Sequence, residues 1–238
     1  MQSLNLIPPT FSASVSCMDL LNMEKQIKKC ESAGISFFHY DVVDGDFNQC
    51  LILGDTLLEQ MSQVTAIPVE VHLAVYRPER FIQRFADAGA QYIAVQYEAM
   101  EKPLETFEKI RKYGAKPILC YRADTPPSED FISLAKEVDW ILKLTVNPGF
   151  SGKKIQMDAI NHISSMSALL KEHGLKTQIQ ADGNVNASTL GMLTQAGATI
   201  FTGGTSGLFT KEGSIEKHLE HLKQIFNEAK YNHTSRQS

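Results

Sequence analysis

Cysteine is scarce in this chain: Cys17, Cys30, Cys50 and Cys120 are scattered through 238 residues, and no two of them make a CxxC pair. That spacing offers no disulfide framework and reads as reduced, mostly buried thiols of a cytoplasmic protein. Neither sign of charge dominates. The 23 Lys and Arg against 27 Asp and Glu leave −4, with a pI near 6.0. Nucleic acid and acidic membranes therefore have no electrostatic claim as partners, although a local site for a small anion stays open. No apolar run approaches the roughly 18 residues of a membrane-spanning helix. The opening MQSLNLIPPT lacks a basic stretch and a long apolar stretch, and is expected not to be a secretory signal. No Pro/Gly/Ser-rich linker or composition break divides the chain, so one domain over residues 1–238 is expected, with its polar end fraying from about 230. What is present is ordinary for a globular protein: 43% apolar and 21% charged residues, which excludes disorder.

Short β-rich apolar runs alternate with longer amphipathic stretches. Candidate strands are residues 11–16, 36–42, 69–75, 92–97, 116–121, 140–146, 177–182 and 199–204. Between them lie helix patterns. In residues 18–34, Leu20, Leu21, Met23, Ile27 and Cys30 fall at helical spacing, and Gly34 supplies the stop. In residues 77–90, Pro78 stands early in a helix and Gly89 beyond its end. The segments DAGA (87–90) and QAGA (195–198) echo one another at a helix-to-strand turn. Strand alternating with helix implies parallel strands joined by right-handed crossovers. Eight units in this length predict an α/β single-domain (β/α)8 TIM barrel rather than an open doubly wound sheet.

A barrel of this kind demands polar residues at the carboxyl ends of its strands. They are there. The second strand carries His39 and Asp41, which strand alternation turns to one face, here the interior. The third carries His72 near its end, and the seventh ends in Asp182. Taken singly, a strand histidine is more often a hydrogen-bonded core residue, and an Asp ending a strand more often caps a turn. Four such residues on the side where this fold places its sites point to one mixed nitrogen and oxygen donor set. Such a set suits zinc, manganese, iron or cobalt.

Glycine is concentrated in three loops. Asn147-Pro148-Gly149-Phe150-Ser151-Gly152 follows the sixth strand, Gly183-Asn184 the seventh, and Gly203-Gly204-Thr205-Ser206-Gly207 the eighth. Glycines let backbone N–H groups approach an anion, and the last two loops are where this barrel customarily binds phosphate. One such loop is equally a plain tight turn; three at neighbouring strand ends favour phosphate.

In this order the motifs resemble the ribulose-phosphate 3-epimerase family over nearly the whole chain. HYDVVDGDF resembles its HxDxMDGxF motif, VEVHLAV its DxHLMV motif, VNPGFSGKK its VxPGFxGQ loop, and ADGNVN its VDGG motif. SVSCMDLL and GGTSGLF are similar to the D-allulose-6-phosphate 3-epimerase branch. The resemblance implies that His39, Asp41, His72 and Asp182 hold one divalent metal ion per chain. It implies Asp41 and Asp182 as paired acid and base, with Ser14 and His72 at the sugar. Gly149, Phe150, Ser151, Gly152, Gly183, Asn184, Gly204 and Thr205 would hold the phosphate end.

The chain also departs from that family. Three pocket methionines correspond to Val43, Ala74 and Leu144, a fourth-strand histidine to Gln96, and the second glycine of VDGG to Asn184. The shorter lining is expected to leave room beside the reacting carbon.

The implied activity is metal-dependent inversion of carbon 3 of D-ribulose 5-phosphate, by two-base proton transfer through a cis-enediolate. The alternatives are D-allulose 6-phosphate as substrate, or a non-catalytic barrel that binds a sugar phosphate. The expected partners are a phosphorylated ketose and further copies of the chain as a homo-oligomer, with no nucleic acid and no membrane. Asp44, which falls after the inward pair, is expected to brace the site.

Overall fold

The strand runs close into a ring. The computed structural model describes residues 4, 6–146 and 154–234, with side chains through residue 231. The strands are β1 (Thr10–Ser14), β2 (Phe37–Asp44), β3 (Leu51–Ile52), β4 (Val69–Ala74), β5 (Tyr92–Gln96), β6 (Lys116–Tyr121), β7 (Trp140–Leu144), β8 (Gln178–Asp182) and β9 (Ile200–Gly203). The helices are α1 (Met23–Ala33), α2 (Asp55–Val64), α3 (Ile82–Asp87), α4 (Pro103–Lys112), α5 (Phe131–Ala135), α6 (Met157–Glu172), α7 (Leu190–Ala196) and α8 (Ile215–Thr234). Because β1 pairs with both β2 and β9, eight strands form a closed barrel with every pairing around it parallel. One helix follows each barrel strand, as expected. Among the described residues, no helix is long and apolar enough to cross a membrane.

Strand alternation divides the side chains into two cores. Outward residues such as Tyr40, Val71 and Ile141 pack with Ile27, Leu58, Phe107 and Ile163 of the surrounding helices. Each fully buried side chain of this size contributes about 1.5–3 kcal/mol. Inward, Phe37, Tyr92 and Trp140 form an aromatic plug, with ring centroids 5.5 Å apart for Phe37–Trp140 and 4.7 Å for Tyr92–Trp140. Polar Ser12, Glu70, Gln180 and Thr202 are also inside and fully or almost fully buried. This polar layer carries the site above the plug.

One sequence expectation, the start of the first helix, needs correction. The helix expected from residue 18 begins at Met23, because Asp19 accepts the Leu21 N–H at 3.1 Å and caps a 3-10 turn over Leu20–Asn22. Leu21, at 96% exposure, faces outward rather than the core. The two-residue β3, too short to show alternation, pairs antiparallel with β2 at the barrel rim. The polar stretch from about 230 is helical through Thr234.

The DAGA and QAGA echo has a structural basis. Gly89 follows α3 with φ +114° and Gly197 follows α7 with φ +112°, each turning the chain back toward the next strand. A Cβ on Gly89 would lie 2.7 Å from Ser62 Cβ, and one on Gly197 would lie 2.3 Å from Ser167 Oγ. Each glycine thus permits a left-handed turn and lets the loop touch the neighbouring helix. Gly197→Ala is expected to lower stability by about 2 kcal/mol or more, by chemical denaturation. Adding Ser167→Gly should recover only the steric share, because the backbone strain remains.

Lys143 is fully buried on the outer face of β7. Its ammonium donates to the Arg122 carbonyl and, at 2.6 Å, to the Thr125 carbonyl, fastening the loop after β6. Burial lowers its pKa to about 8, against the opposing pull of Cys120 and the Glu98 and Asp124 carboxylates. The unfolded chain therefore binds more protons than the folded one between pH 8 and the ordinary lysine value, and this residue's contribution to stability rises with pH across that window. Relative to Lys143→Met, the wild type should gain on the order of 2–3 kcal/mol from pH 8 to 10.5 in urea titrations. A constant difference would mean that the amine titrates normally.

Candidate functional site

Strand register assembles the predicted residues at one mouth of the barrel. β2 delivers His39 and Asp41 two residues apart, β4 sets His72 beside Asp41, and β8 ends in Asp182. In the closed ring β8 stands opposite β4, so Asp182 approaches His72 across the interior. One donor atom from each of His39, Asp41, His72 and Asp182 lies within 4.8 Å of all the others. The histidines are fully buried, whereas the Asp41 and Asp182 side chains retain 19% and 18% exposure toward the mouth.

Hydrogen bonds fix the set. His39 Nε2 is 2.9 Å from Asp41 Oδ1 and 3.7 Å from Asp182 Oδ2. Its other nitrogen, Nδ1, faces buried Glu70 Oε2 at 2.8 Å. A carboxylate only accepts, so Glu70 keeps a proton on Nδ1 and leaves Nε2 as the nitrogen directed at the acidic pair. That is how a metal-binding histidine is commonly held, and it is the observation by which this donor set fits a divalent ion. His72 Nδ1 lies 3.0 Å from Asp41 Oδ1.

The two carboxylates are driven apart electrostatically. Burial raises the Asp41 pKa, but the His39 and His72 rings outweigh it and hold the acid well below the usual carboxylate range. For Asp182, burial wins over the attraction of His39 and, helped by Asp41, pushes the pKa up to about 6. His39 resists charging because it is buried, yet Asp41, Asp182 and Glu70 raise its pKa well above the ordinary value. One carboxylate stays ionised while its neighbour protonates readily, the pattern of an acid and base pair.

The other predicted residues fall around this centre. Ser14 ends β1 beside His39, and its Oγ is 3.0 Å from Ser16 Oγ, which donates to Asp41 Oδ2 at 3.2 Å. Gly183 and Asn184 follow Asp182 with φ +108° and +50°. Gly204 follows neighbouring β9, and its carbonyl accepts the N–H groups of Gly207, Leu208 and Phe209 at 3.2, 2.9 and 3.1 Å. Thr205 is exposed beside it. Gly149, Phe150, Ser151 and Gly152 lie outside the described residues. Asp44 braces the rim as expected: Oδ1 accepts from the Asp46 and Phe47 N–H groups at 2.9 and 2.8 Å, and Oδ2 from Tyr76 N–H at 3.1 Å.

Sequence reasoning did not single out Glu70, Gln180, Ser16 or Thr145. Glu70 was discoverable, since it precedes His72 by two residues and so shares its face. Gln180 precedes Asp182 in the same way; its amide donates to Glu70 Oε2 and Thr202 Oγ1, both at 2.9 Å. Thr145 N–H donates to the Asp182 carbonyl at 2.7 Å, and its hydroxyl donates to the Gly183 carbonyl. No sequence pattern marks that link.

Comparison with known proteins agrees with this geometry. A family model described as the ribulose-phosphate 3 epimerase family matches residues 10–209. The chain is 31% identical over 217 residues to the ribulose-phosphate 3-epimerase of Methanocaldococcus jannaschii, covering 91% of each protein. It is 31% identical over 194 residues to that of Bacillus subtilis, covering 81% of this chain and 89% of the relative. Among solved structures, KGPDC from Streptococcus mutans matches with TM-score 0.66 at 12% identity, over 93% of this chain and 98% of that one. The 3-hexulose-6-phosphate synthase from Salmonella typhimurium gives 0.65 at 12% identity, over 92% and 99%. The two structures show the shared barrel fold.

The purified protein is expected to take up about one divalent ion per chain and to be stabilised by it. At a free concentration roughly a hundred times Kd the gain is about 2.7 kcal/mol, visible as a rise in Tm. His72→Ala should lose both the ion and the rise. Equal metal content in that variant and the wild type, by elemental analysis, would remove His72 from the donor set.

Proposed function

Because the chain belongs to the ribulose-phosphate 3-epimerase family, we propose that it is an isomerase that inverts carbon 3 of D-ribulose 5-phosphate to give D-xylulose 5-phosphate. One observation carries this reading: two carboxylates from well-separated strands meet two histidines at one mouth, with their proton affinities driven apart. Carbon 3 lies next to the ketone, so its proton is weakly acidic, and inversion requires removal from one face and return to the other. Asp41 and Asp182 are the two groups placed to do this. One carboxylate accepts the proton from carbon 3, and the carboxylic acid opposite donates one to the other face. After turnover the two have exchanged states, which serves the reverse reaction. A divalent ion held by His39, Asp41, His72 and Asp182, whether zinc, manganese, iron or cobalt, supplies Lewis-acid stabilisation for the negative charge on the ketose oxygens. Glu70 holds His39 through its Nδ1 proton, and Ser16 steadies Asp41.

The phosphate end of the sugar is assigned to Gly183, Asn184, Gly204 and Thr205, with Gly149 to Gly152. Support comes from the neighbouring ends of β8 and β9, where consecutive left-handed residues Gly183 and Asn184 turn the backbone. Thr145 secures that turn, and a Cβ on Gly183 would lie 2.5 Å from Val146 Cγ2. Anchoring the phosphate lets binding energy place carbon 3 between the two acids.

The pentulose is favoured by the packing of the altered lining. Val43 and Ala74 are buried together with Phe47, and Cys50, Ile52 and Ala99 pack against them. The expected room at these two short residues is therefore filled by protein rather than left for a longer sugar. Four free cysteines support a reducing, cytoplasmic setting.

In heavy water, wild-type turnover of ribulose 5-phosphate should introduce deuterium at carbon 3. Asp182→Asn and Asp41→Asn should each lower kcat by about 10²–10⁴-fold. Product formed without deuterium would contradict proton transfer with solvent-exchangeable acids. Unphosphorylated ribulose should have a much lower kcat/KM, and equal values would contradict the anchor. Faster turnover of allulose 6-phosphate in the same assay would move the assignment to the hexulose.

A further inference from the structure

Two charged groups hold the backbone of a single residue at the mouth. Arg122 follows β6, and its N–H donates to Glu98 Oε1 at 2.8 Å. Its carbonyl accepts from the buried Lys143 ammonium and, at 3.2 Å, from the Thr125 N–H. Glu98 stands on the 3-10 turn after β5 (Tyr97–Ala99) and Lys143 on β7, so both strands that flank β6 contribute to this hold. Hydrogen bonds to ionised groups are stronger than neutral ones, and two of them fix where Arg122 stands. Both reach the backbone, so they hold the position whatever side chain it carries.

The guanidinium takes no part in that hold. It is half-buried, 4.7 Å from the centroid of the Phe47 ring, and among the described residues it makes no ion pair or hydrogen bond. Attraction to a ring face uses none of its five N–H donors. Its place is set by the order of strands. Arg122 comes from the loop after β6 and Phe47 from the loop after β2, and β4 and β5 stand between those two strands. Their contact therefore spans the β4 and β5 side of the mouth. Across the ring stand β8 and β9, followed by Gly183 and Asn184 and by Gly204 and Thr205. Phe47 itself packs with Val43 and Ala74, two residues beyond Asp41 and His72, so the cation stands over the lining of the acid centre.

We propose that Arg122 is a specificity-determining residue that donates to the carbon-1 hydroxyl of the ketose phosphate. The inference rests on the ketose-phosphate reading of the site. A ketose with its phosphate at the β8 and β9 ends and carbon 3 between Asp41 and Asp182 turns carbon 1 away from the phosphate. That end meets the β4 and β5 side, where Arg122 lies over Phe47. The guanidinium is the charged donor there with no protein acceptor, and the carbon-1 oxygen is the polar atom that ends the sugar. Loss of a hydrogen bond from a charged donor changes affinity by about 10–100-fold.

The test is a cycle of two enzymes and two sugars, run on the full chain loaded with zinc or manganese. Wild type and Arg122→Met are each given xylulose 5-phosphate and 1-deoxyxylulose 5-phosphate, which lacks only the carbon-1 oxygen. Methionine keeps an apolar contact for Phe47 and leaves both backbone bonds in place. Arg122→Met should lose about 10–100-fold in kcat/KM on the full sugar and change little on the deoxy sugar. The effect of the missing oxygen on the acidity of carbon 3 is common to both enzymes and cancels in the cycle. A fall of the same size on both sugars would overturn the proposal and place Arg122 at the phosphate or in packing alone. So would unchanged kcat/KM on the full sugar in the folded variant. Equal kcat/KM for the two sugars in wild type would overturn it without any variant. If wild type does not epimerise xylulose 5-phosphate at all, the pentulose reading itself fails and takes this inference with it.

Discussion

A carboxylate sealed inside the barrel has to be answered by its neighbours, and Glu70 sets that requirement for everything above it. It is fully buried, and one of its oxygens accepts from both His39 Nδ1 and Gln180 Nε2. Gln180 in turn accepts from the Trp140 indole and donates to Thr202. Upward, His39 meets Asp41, and Asp41 meets Ser16 and His72. A single chain of hydrogen bonds thus runs from the aromatic plug to the mouth. An unmet buried polar group costs about 1–3 kcal/mol, more when charged, so the chain's members depend on one another. A barrel that had only to fold would be better filled with aliphatic side chains. The polar layer is therefore best understood by what it holds in place.

How much of this was legible depends on how each feature is encoded. Alternation along a strand is local, and it placed all eight barrel strands and the inward pairing of His39 with Asp41. The same rule contained Glu70 and Gln180, each two residues before a site residue, but a lone Glu or Gln in an apolar run has no evident partner until strands are brought together. Their meeting is set by the order of strands around the ring, where β4 and β8 face one another. Thr145 was invisible for a different reason. It acts through backbone bonds across to β8, which no side-chain pattern records. The start of α1 was misplaced because helical spacing continues through Leu20 and Leu21, whereas the Asp19 cap decides the local geometry.

The altered lining forms a packed unit of its own beside the donor set. Val43 and Ala74 lie two residues beyond Asp41 and His72 on the same strands, and they are paired in register as those two are. Their side chains pack with Phe47, which is held from below by Asp44 and stacked edge-on against Tyr76 at 5.3 Å. Arg122, 4.7 Å from the Phe47 ring, covers it from the loop after β6. The lining is thus a small apolar unit supported by the rim. It shares β2 with Asp41 and β4 with His72.

That separation explains why the donor set can persist while its surroundings differ from the family pattern. His39 is secured from the interior by Glu70, which lies below the lining and is insulated from changes at the mouth. His72 is secured from the side by Gln96, one of the departures itself. A glutamine there presents both a donor and an acceptor on one short arm, so it satisfies either neutral tautomer of the imidazole. Burial of His39, Glu70, His72 and Gln96 makes each of these bonds costly to lose, so the donor set is held by the barrel interior and its wall rather than by the rim.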